Sequence, residues 1–217
     1  MAVKKMTKRD RESAEKKMHI YRTAVGLFKE YGYEGTTMAD ICEASGMSKG
    51  SIYHFFSKKI DLLYHFFAEL NQYTLDNLEV SEENLKQPGV AILNYCVGLS
   101  NAYEQIGYDM SIQLQNVFEE YATQEKHREA SFVHKVSGFI QAAQERGTMQ
   151  GGASAVEMAH QIHVASVGLY RKWIIDGGNY SLTEANRWFI PVVLNLFAGE
   201  GCQVAQGPCP EWMIQNK

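Results

Sequence analysis

The stretch from Thr36 to Lys59 constrains the fold of this chain more than any other segment. It predicts two short helices joined by a tight turn at Gly46, where the backbone needs a positive φ that glycine adopts at little cost. Thr37 and Ser48 are residue types that cap helix N-termini, so they indicate where the two helices begin. Two short helices crossing at such a turn are typical of the helix-turn-helix, a unit that reads DNA.

The second motif helix is predicted to have two different faces. Ile52 and Phe55 are apolar and are expected to pack inward, whereas the opposite face is polar and cationic. The side chains placed to enter a major groove are Ser48, Lys49, Ser51 and His54. The groups suited to phosphate are the side chains of Thr37, Tyr53 and Lys59. Gly50 has no side chain, which lets the backbone approach a phosphate closely.

Residues 14–64 resemble the N-terminal part of the TetR family of bacterial transcriptional regulators. The residues that carry the resemblance are Ile20, Ala24, Leu27, Phe28, Tyr31, Gly32, Tyr33, Thr36, Thr37, Ile41, Ala44, Gly46, Ser48, Gly50, Tyr53, Phe56, Lys59, Leu62 and Leu63. Cys42 and Ser45 stand where the family more often has alanine, and both are small. The resemblance implies a DNA-facing surface formed by Thr37, Ser48, Lys49, Ser51, Tyr53, His54 and Lys59.

The hydrophobic pattern along the whole chain predicts an all-α fold of about nine helices. Apolar residues recur at intervals of three and four, and no segment shows the sustained period-two alternation of a strand. Beside the two motif helices, we expect helices over about 13–32, 58–78, 90–106, 109–121, 127–146, 154–176 and 182–199.

Four regions follow from this pattern and from the resemblance. We expect a flexible basic arm over residues 1–12 and a DNA-binding domain over 13–60, with its helix-turn-helix at 37–56. A ligand-binding and dimerisation domain is expected over 61–200, and a C-terminal tail over 201–217.

The charge distribution fits this division. Residues 1–65 contain 12 Lys and Arg and 8 Asp and Glu, a net charge of +4, whereas residues 66–217 contain 9 and 17, a net −8. A cationic end can neutralise phosphates while the acidic remainder limits non-specific binding to DNA. The four cysteines have no regular spacing, and no apolar run approaches a membrane span, so we expect a cytoplasmic bacterial protein with reduced thiols.

An aromatic group in the second region permits two interpretations. Its members are Tyr64, Phe67, Tyr95, Tyr103, Met110, Phe118 and Tyr121. They either pack as an ordinary core or line a pocket, because buried phenols need hydrogen-bond partners that a small molecule can supply. The family resemblance implies such a pocket for an unidentified small-molecule effector.

The last two predicted helices carry large apolar side chains near the end of the chain. These residues could be buried within one subunit, but the resemblance implies that the two helices pair with their copies in a second subunit. The predicted interface consists of Met158, Ile162, Leu169, Trp173, Trp188, Val192 and Leu196. Pro191 lies inside the last helix and is expected to kink or restart it.

These features predict a homodimeric, sequence-specific regulator that binds double-stranded operator DNA and is released by a ligand, most simply a repressor. The chain lacks phosphate-binding loops, nucleophile motifs and Cys-x-x-Cys pairs, so we expect neither an enzyme nor a bound metal or cofactor. His160 and His163, three residues apart, are expected to be surface or interface histidines. The alternatives are a regulator that has lost its ligand response, and a helical enzyme or carrier with an incidental helix-turn-helix.

Overall fold

The computed structural model describes residues 7–117, 120–149, 152–196, 204–206 and 209. Within these ranges the regular secondary structure consists of helices and no strand occurs, which confirms the all-α class. The ten helices are α1 (Lys8–Tyr31), α2 (Met38–Ser45), α3 (Lys49–Phe55), α4 (Lys59–Asp76), α5 (Glu82–Lys86), α6 (Pro88–Ile106), α7 (Tyr108–Asn116), α8 (Ala122–Glu145), α9 (Ala155–Ile175) and α10 (Leu182–Asn195).

The short helix α5 was absent from the predicted set. Ser81 caps it by accepting a hydrogen bond from the Asn84 amide at 3.2 Å. Glu82, its first residue, accepts two hydrogen bonds of 2.7 Å from Arg146 at the end of α8. A helix of five residues is marginal by itself, so its contact with a residue 64 positions away explains why local periodicity missed it.

Helix α1 begins earlier than the predicted arm allows. The Thr7 hydroxyl accepts from the Asp10 amide at 3.2 Å, and the Thr7 amide donates to the Asp10 carboxylate at 2.9 Å. This capping box starts a regular helix at Lys8, so the arm predicted over residues 1–12 is helical in its last five positions. The first core residue on α1 is Ile20, and the helix ends at Gly32 with φ +78°.

The chain divides into two compact units. The first, called here the DNA-binding unit, contains residues up to Glu69 together with Asp109–Gln115. Its core joins α1 to the motif helices, and the rings of Tyr21 and Phe56 lie 5.0 Å apart. The fully buried side chains include Ile20, Ala24, Ile41, Ile52, Leu62, Leu63 and Phe67.

The second unit, called here the regulatory unit, contains Leu70–Tyr108 and the described part of the chain after Gln115. Its core lies among α6, α8, α9 and α10, with central members Ile92, Val136, Phe139, Ile140, Ala159, Ile162 and Ile190. Asn195 holds the chain after α10 against this core, because its amide group makes reciprocal hydrogen bonds of 3.0 and 2.9 Å with the backbone of Val204. Most of the predicted tail, 201–217, lies outside the described residues.

Helix α10 continues through Pro191. The proline is buried inside the helix, and helical structure persists to Asn195. The predicted restart at Pro191 therefore does not occur.

Candidate nucleic-acid interface

Thr37 begins the first motif helix with a complete capping box. Its hydroxyl accepts from the Asp40 amide at 3.2 Å, while its own amide and hydroxyl each donate to the Asp40 carboxylate at 2.7 Å. These hydrogen bonds lower the pKa of Asp40, which keeps the carboxylate charged at the positive end of the helix dipole. Thr37 is exposed at this helix end, as the phosphate-contact prediction requires.

The turn between the motif helices depends on the backbone conformation of Gly46. Its φ is +65°, and its amide donates to the Glu43 carbonyl at 3.2 Å to close the end of α2. A Cβ added at Gly46 would meet no atom within 4 Å, so the requirement for glycine here is conformational rather than steric.

Ser48 starts α3, the predicted recognition helix. Its hydroxyl accepts from the Ser51 amide at 3.2 Å and lies 2.9 Å from the Ser51 hydroxyl. The two serines are therefore linked to each other at the start of the helix. Base contacts by these two hydroxyls stay a prediction. In such a contact the Ser48 hydroxyl would either give up its capping hydrogen bond or make both hydrogen bonds at once.

The exposed face of α3 presents a cation, a phenol and an imidazole. The Lys49 ammonium lies 5.6 Å from the centre of the Tyr53 ring, one turn further along the helix. Tyr53 is 42% exposed, and His54 is exposed with its ring edge on Phe55. Gly50 is exposed, with no atom within 4 Å of a Cβ built on it, so its backbone can be approached closely. Ile52 on the opposite face is fully buried.

A shallow cleft runs between the two motif helices beside this face. It is lined by Thr37, Met38, Ala39, Cys42, Glu43, Met47, Lys49 and Tyr53. Three of the eight predicted DNA-contact residues, Thr37, Lys49 and Tyr53, thus border one surface of the DNA-binding unit.

Lys59 occupies a different environment from the one predicted for a phosphate contact. Its ammonium donates to the carbonyls of Tyr33 at 2.6 Å and Thr36 at 2.9 Å, and it lies 4.1 Å from the centre of the Tyr33 ring. A phosphate contact by Lys59 stays a prediction, and these intrachain contacts would compete with it. The Lys59 side chain links the start of α4 to the segment between α1 and α2, and so stabilises the position of the motif.

The predicted effector residues are divided between the two units. Those in the DNA-binding unit are Tyr64, Phe67 and Met110, and those in the regulatory unit are Tyr95, Tyr103 and Tyr121. All six are buried, and Phe118 lies outside the described residues. Within the regulatory unit, Tyr95 donates to Asn71 at 3.3 Å, and Tyr103 stacks on Tyr170 with ring centres 4.0 Å apart.

The interface predicted on α9 stays a prediction, and its residues are buried within the protomer. Met158, Ile162, Leu169 and Trp173 are all less than 10% exposed, because this stripe faces the core of its own unit. The opposite stripe, which the prediction did not include, exposes Val164, Val167 and Ile175 by 67%, 46% and 74%. On α10 the predicted residues are more accessible, since Trp188 and Val192 are partly exposed and Leu196 is 74% exposed.

Two histidines on α9 face a carboxylate on α8. The Nδ1 atoms of His160 and His163 lie 3.6 and 3.8 Å from one oxygen of Glu129 on α8. Within the part of the chain that the structure describes, no three His, Cys, Asp or Glu side chains are grouped closely enough to hold a metal ion. Over the same residues, none of the helices combines the length and the apolar character needed to cross a bilayer.

Comparison with known proteins agrees with this architecture. The family model described as bacterial regulatory proteins, tetR family, matches residues 20–66. The regulator AcrR of Shigella flexneri is 34% identical over 82 residues, which cover 38% of this chain and 37% of that protein. The structure of SmeT, the repressor of the Stenotrophomonas maltophilia multidrug efflux pump SmeDEF, has a TM-score of 0.66 at 15% identity, covering 89% and 95% of the two chains.

A second solved structure has the same fold and contains a ligand. FadR from Bacillus subtilis in complex with stearoyl-CoA has a TM-score of 0.61 at 17% identity, covering 85% of this chain and 98% of that one. The sequence match covers the N-terminal part of the chain, and the solved structures share the helical fold of most of it. Residues 20–66 match the tetR family of bacterial regulatory proteins, and the chain spans less than half the length of the curated relatives that are at least 30% identical to it.

Proposed function

We propose that this chain is a cytoplasmic, sequence-specific repressor that binds double-stranded operator DNA as a homodimer and is released by a small-molecule effector. DNA binding would reside in residues 13–60, and effector binding and dimerisation in 61–200. The observation that carries the proposal is the polar face of α3, where Lys49, Tyr53 and His54 are exposed opposite a fully buried Ile52. This arrangement leaves the side chains suited to DNA exposed to solvent.

The proposed contacts divide into two types. Thr37, Tyr53 and the backbone at Gly50 would contact phosphates, which position the protein without reading sequence. Lys49, His54 and the Ser48–Ser51 pair would reach base edges, with Lys49 donating to guanine O6 and N7.

Dimerisation is proposed through the exposed stripe on α9 and the adjoining end of α10. Val164, Val167 and Ile175 follow one another at helical spacing, and Leu196, directly after α10, adds a further exposed apolar group. A second copy of the chain fits this surface, because an isologous contact would bury the same apolar stripe on both subunits. It would set two recognition helices about 34–36 Å apart, one turn of DNA.

Release by an effector would follow from a population shift. A ligand that binds the regulatory unit more tightly in a form with wrongly spaced recognition helices lowers the DNA-competent fraction. The complex of FadR with stearoyl-CoA supports the idea that this fold accommodates a ligand. A regulator without ligand response is the second candidate, and it would bind the operator unchanged in every effector screen.

The test is binding to DNA taken from upstream of the chain's own coding sequence, compared with random DNA by fluorescence anisotropy. Lys49→Ala and His54→Ala should each cost about 1–3 kcal/mol on the operator and relax preference at one base pair. Tyr53→Phe should weaken binding to upstream DNA and to random DNA by similar factors. Lys86→Ala, on α5 in the other unit, is the matched control. It should change neither the affinity for upstream DNA nor the affinity for random DNA.

Two results would overturn the proposal. Equal affinity of the wild type for upstream and random DNA would contradict sequence-specific binding. It would favour a helical enzyme or carrier with an incidental helix-turn-helix. An unchanged rank order of operator variants in Lys49→Ala and His54→Ala would contradict base reading by these residues.

A further inference from the structure

The ion pair between Glu125 and Arg128 in the regulatory unit leaves one carboxylate oxygen without a hydrogen bond from any residue that the structure describes. Arg128 forms an ion pair with Oε2 of Glu125, one turn away on α8. The side chains are only 22% and 26% exposed, respectively. The other carboxylate oxygen, Oε1 of Glu125, is buried and accepts no hydrogen bond from the described residues. The ion pair therefore satisfies only half of the carboxylate.

An unsatisfied buried acceptor is costly. Leaving a buried polar atom without its hydrogen bond costs about 1–3 kcal/mol, and more when the group is charged. Native proteins keep few such atoms, and those that persist often mark a site where another molecule donates the missing hydrogen bond. Glu125 Oε1 is such an atom on the interior side of α8.

Two tyrosines of α6 are influenced electrostatically by this ion pair. Burial and the neighbouring Tyr170 raise the pKa of Tyr103, and Arg128, Glu125 and Tyr95 also act on it electrostatically. The stacked rings of Tyr103 and Tyr170 on α6 and α9 therefore lie within electrostatic range of the pair. Tyr95 adds a second ring that packs on Phe132, with ring centres 5.5 Å apart.

The charges in the cluster favour a cation. Glu125 and Glu129 contribute two carboxylates, and Arg128 contributes one guanidinium. Burial lowers the pKa of His163, which favours its neutral imidazole. A ligand carboxylate would bring a third negative charge, whereas an ammonium would balance the excess and could also lie against the tyrosine faces.

We propose that Glu125, with the Tyr95, Tyr103 and Tyr170 rings, binds the head group of the effector, and that the effector is an amphipathic amine. Its ammonium would donate to Glu125 Oε1, and its apolar body would pack against the rings. The inference rests on the proposed function, because it names the ligand class of the same regulatory unit.

The test uses three probes with one body and different head groups: 4-phenylbutylamine, 4-phenylbutanol and 4-phenylbutanoate. Calorimetric titration of the full chain without DNA should rank the amine first, about tenfold or more above the alcohol, and the acid last. Glu125→Gln should weaken amine binding about tenfold or more and leave alcohol binding unchanged. Glu129→Gln, a matched loss of charge at a carboxylate that is 41% exposed, should weaken it less than about threefold.

Acid binding as tight as amine binding would overturn the inference, and so would full amine affinity in Glu125→Gln. If Glu125→Gln fails to fold, the probe ranking on the wild type and a Glu125→Asp variant, which keeps the charge one methylene further away, decide instead. Glu125→Asp should keep the preference for the amine over the acid with reduced affinity. Because these titrations contain no DNA, failure of operator binding tests the proposed function separately.

Discussion

The two compact units reach their buried cores in different ways. In the DNA-binding unit each motif helix carries its own start signal, Thr37 or Ser48, and the residues that face solvent are close together in sequence. In the regulatory unit a single helix, α9, has two apolar stripes, one buried through Leu169 and one exposed through Val167. Periodicity therefore identifies which residues share a face, but it does not identify which face meets the core when both are apolar.

The largest expected effect tests the exposed stripe. Val164→Glu combined with Val167→Glu would place like charges without partners in the proposed two-fold interface, where burial of each costs several kcal/mol. We expect monomers in sedimentation at micromolar concentration and operator affinity lowered by about 100-fold or more. Val80→Glu with Val90→Glu, two exposed valines outside this stripe, is the control. A double mutant on α9 that remains dimeric would disprove this interface.

Substitutions in the buried stripe of α9 should lower the stability of the monomer, whereas those in the exposed stripe should not. Leu169→Ala removes a core side chain that is 7% exposed and should lower the free energy of unfolding by about 2–5 kcal/mol. Val167→Ala, 46% exposed in the protomer, should change monomer stability by less than about 0.5 kcal/mol. Denaturant unfolding at a concentration where the chain is monomeric measures both. Equal losses would mean that the two stripes do not differ in burial.

Lys59 tests whether a cation in the DNA-binding unit serves packing or DNA. Lys59→Met removes two hydrogen bonds to the Tyr33 and Thr36 carbonyls and should cost about 1–3 kcal/mol of stability. The slope of operator affinity against salt concentration should stay unchanged, because the ammonium is already engaged within the unit. A slope reduced by about one, with full stability, would support the phosphate assignment.

Two matched capping boxes compare the units directly. Thr37→Ala and Ser154→Ala each remove a hydroxyl that accepts from the backbone three residues on, and each should cost about 0.5–2 kcal/mol. Thermal unfolding should show similar losses, whereas operator binding should weaken beyond the stability effect only for Thr37→Ala. Unchanged operator affinity in Thr37→Ala would mean that Thr37 does not contact DNA.

The smallest effect concerns the pH dependence of stability. Burial, with Lys17 nearby, lowers the pKa of His65 below the ordinary 6.5, so the unfolded chain binds more protons than the folded one. Stability from this group is fully present above pH 6.5 and declines as the pH falls below it towards the folded pKa. His65→Gln should flatten the dependence below pH 6.5, by at most about 1.4 kcal/mol per pH unit. His163 in the regulatory unit should behave likewise, since burial lowers its pKa too.

Much of the DNA-binding unit could be predicted because its signals are local. The caps at Thr37 and Ser48 and the positive φ at Gly46 each depend on atoms within three residues. The resemblance to TetR regulators depends on the same segment. The contacts of Lys59 could not be predicted, since they are with carbonyls 26 and 23 residues away, which no local pattern records.

By itself the sequence determined the helical class, the boundaries of the motif helices and the solvent-facing side of α3, because capping and amphipathic periodicity act over one or two helical turns. Only the tertiary structure decided which stripe of α9 is buried, since both Leu169 and Val167 are apolar and the choice depends on packing against other helices. It also decided that Oε1 of Glu125 is buried without a hydrogen-bond donor among the described residues, because burial of an atom depends on packing that local periodicity does not record.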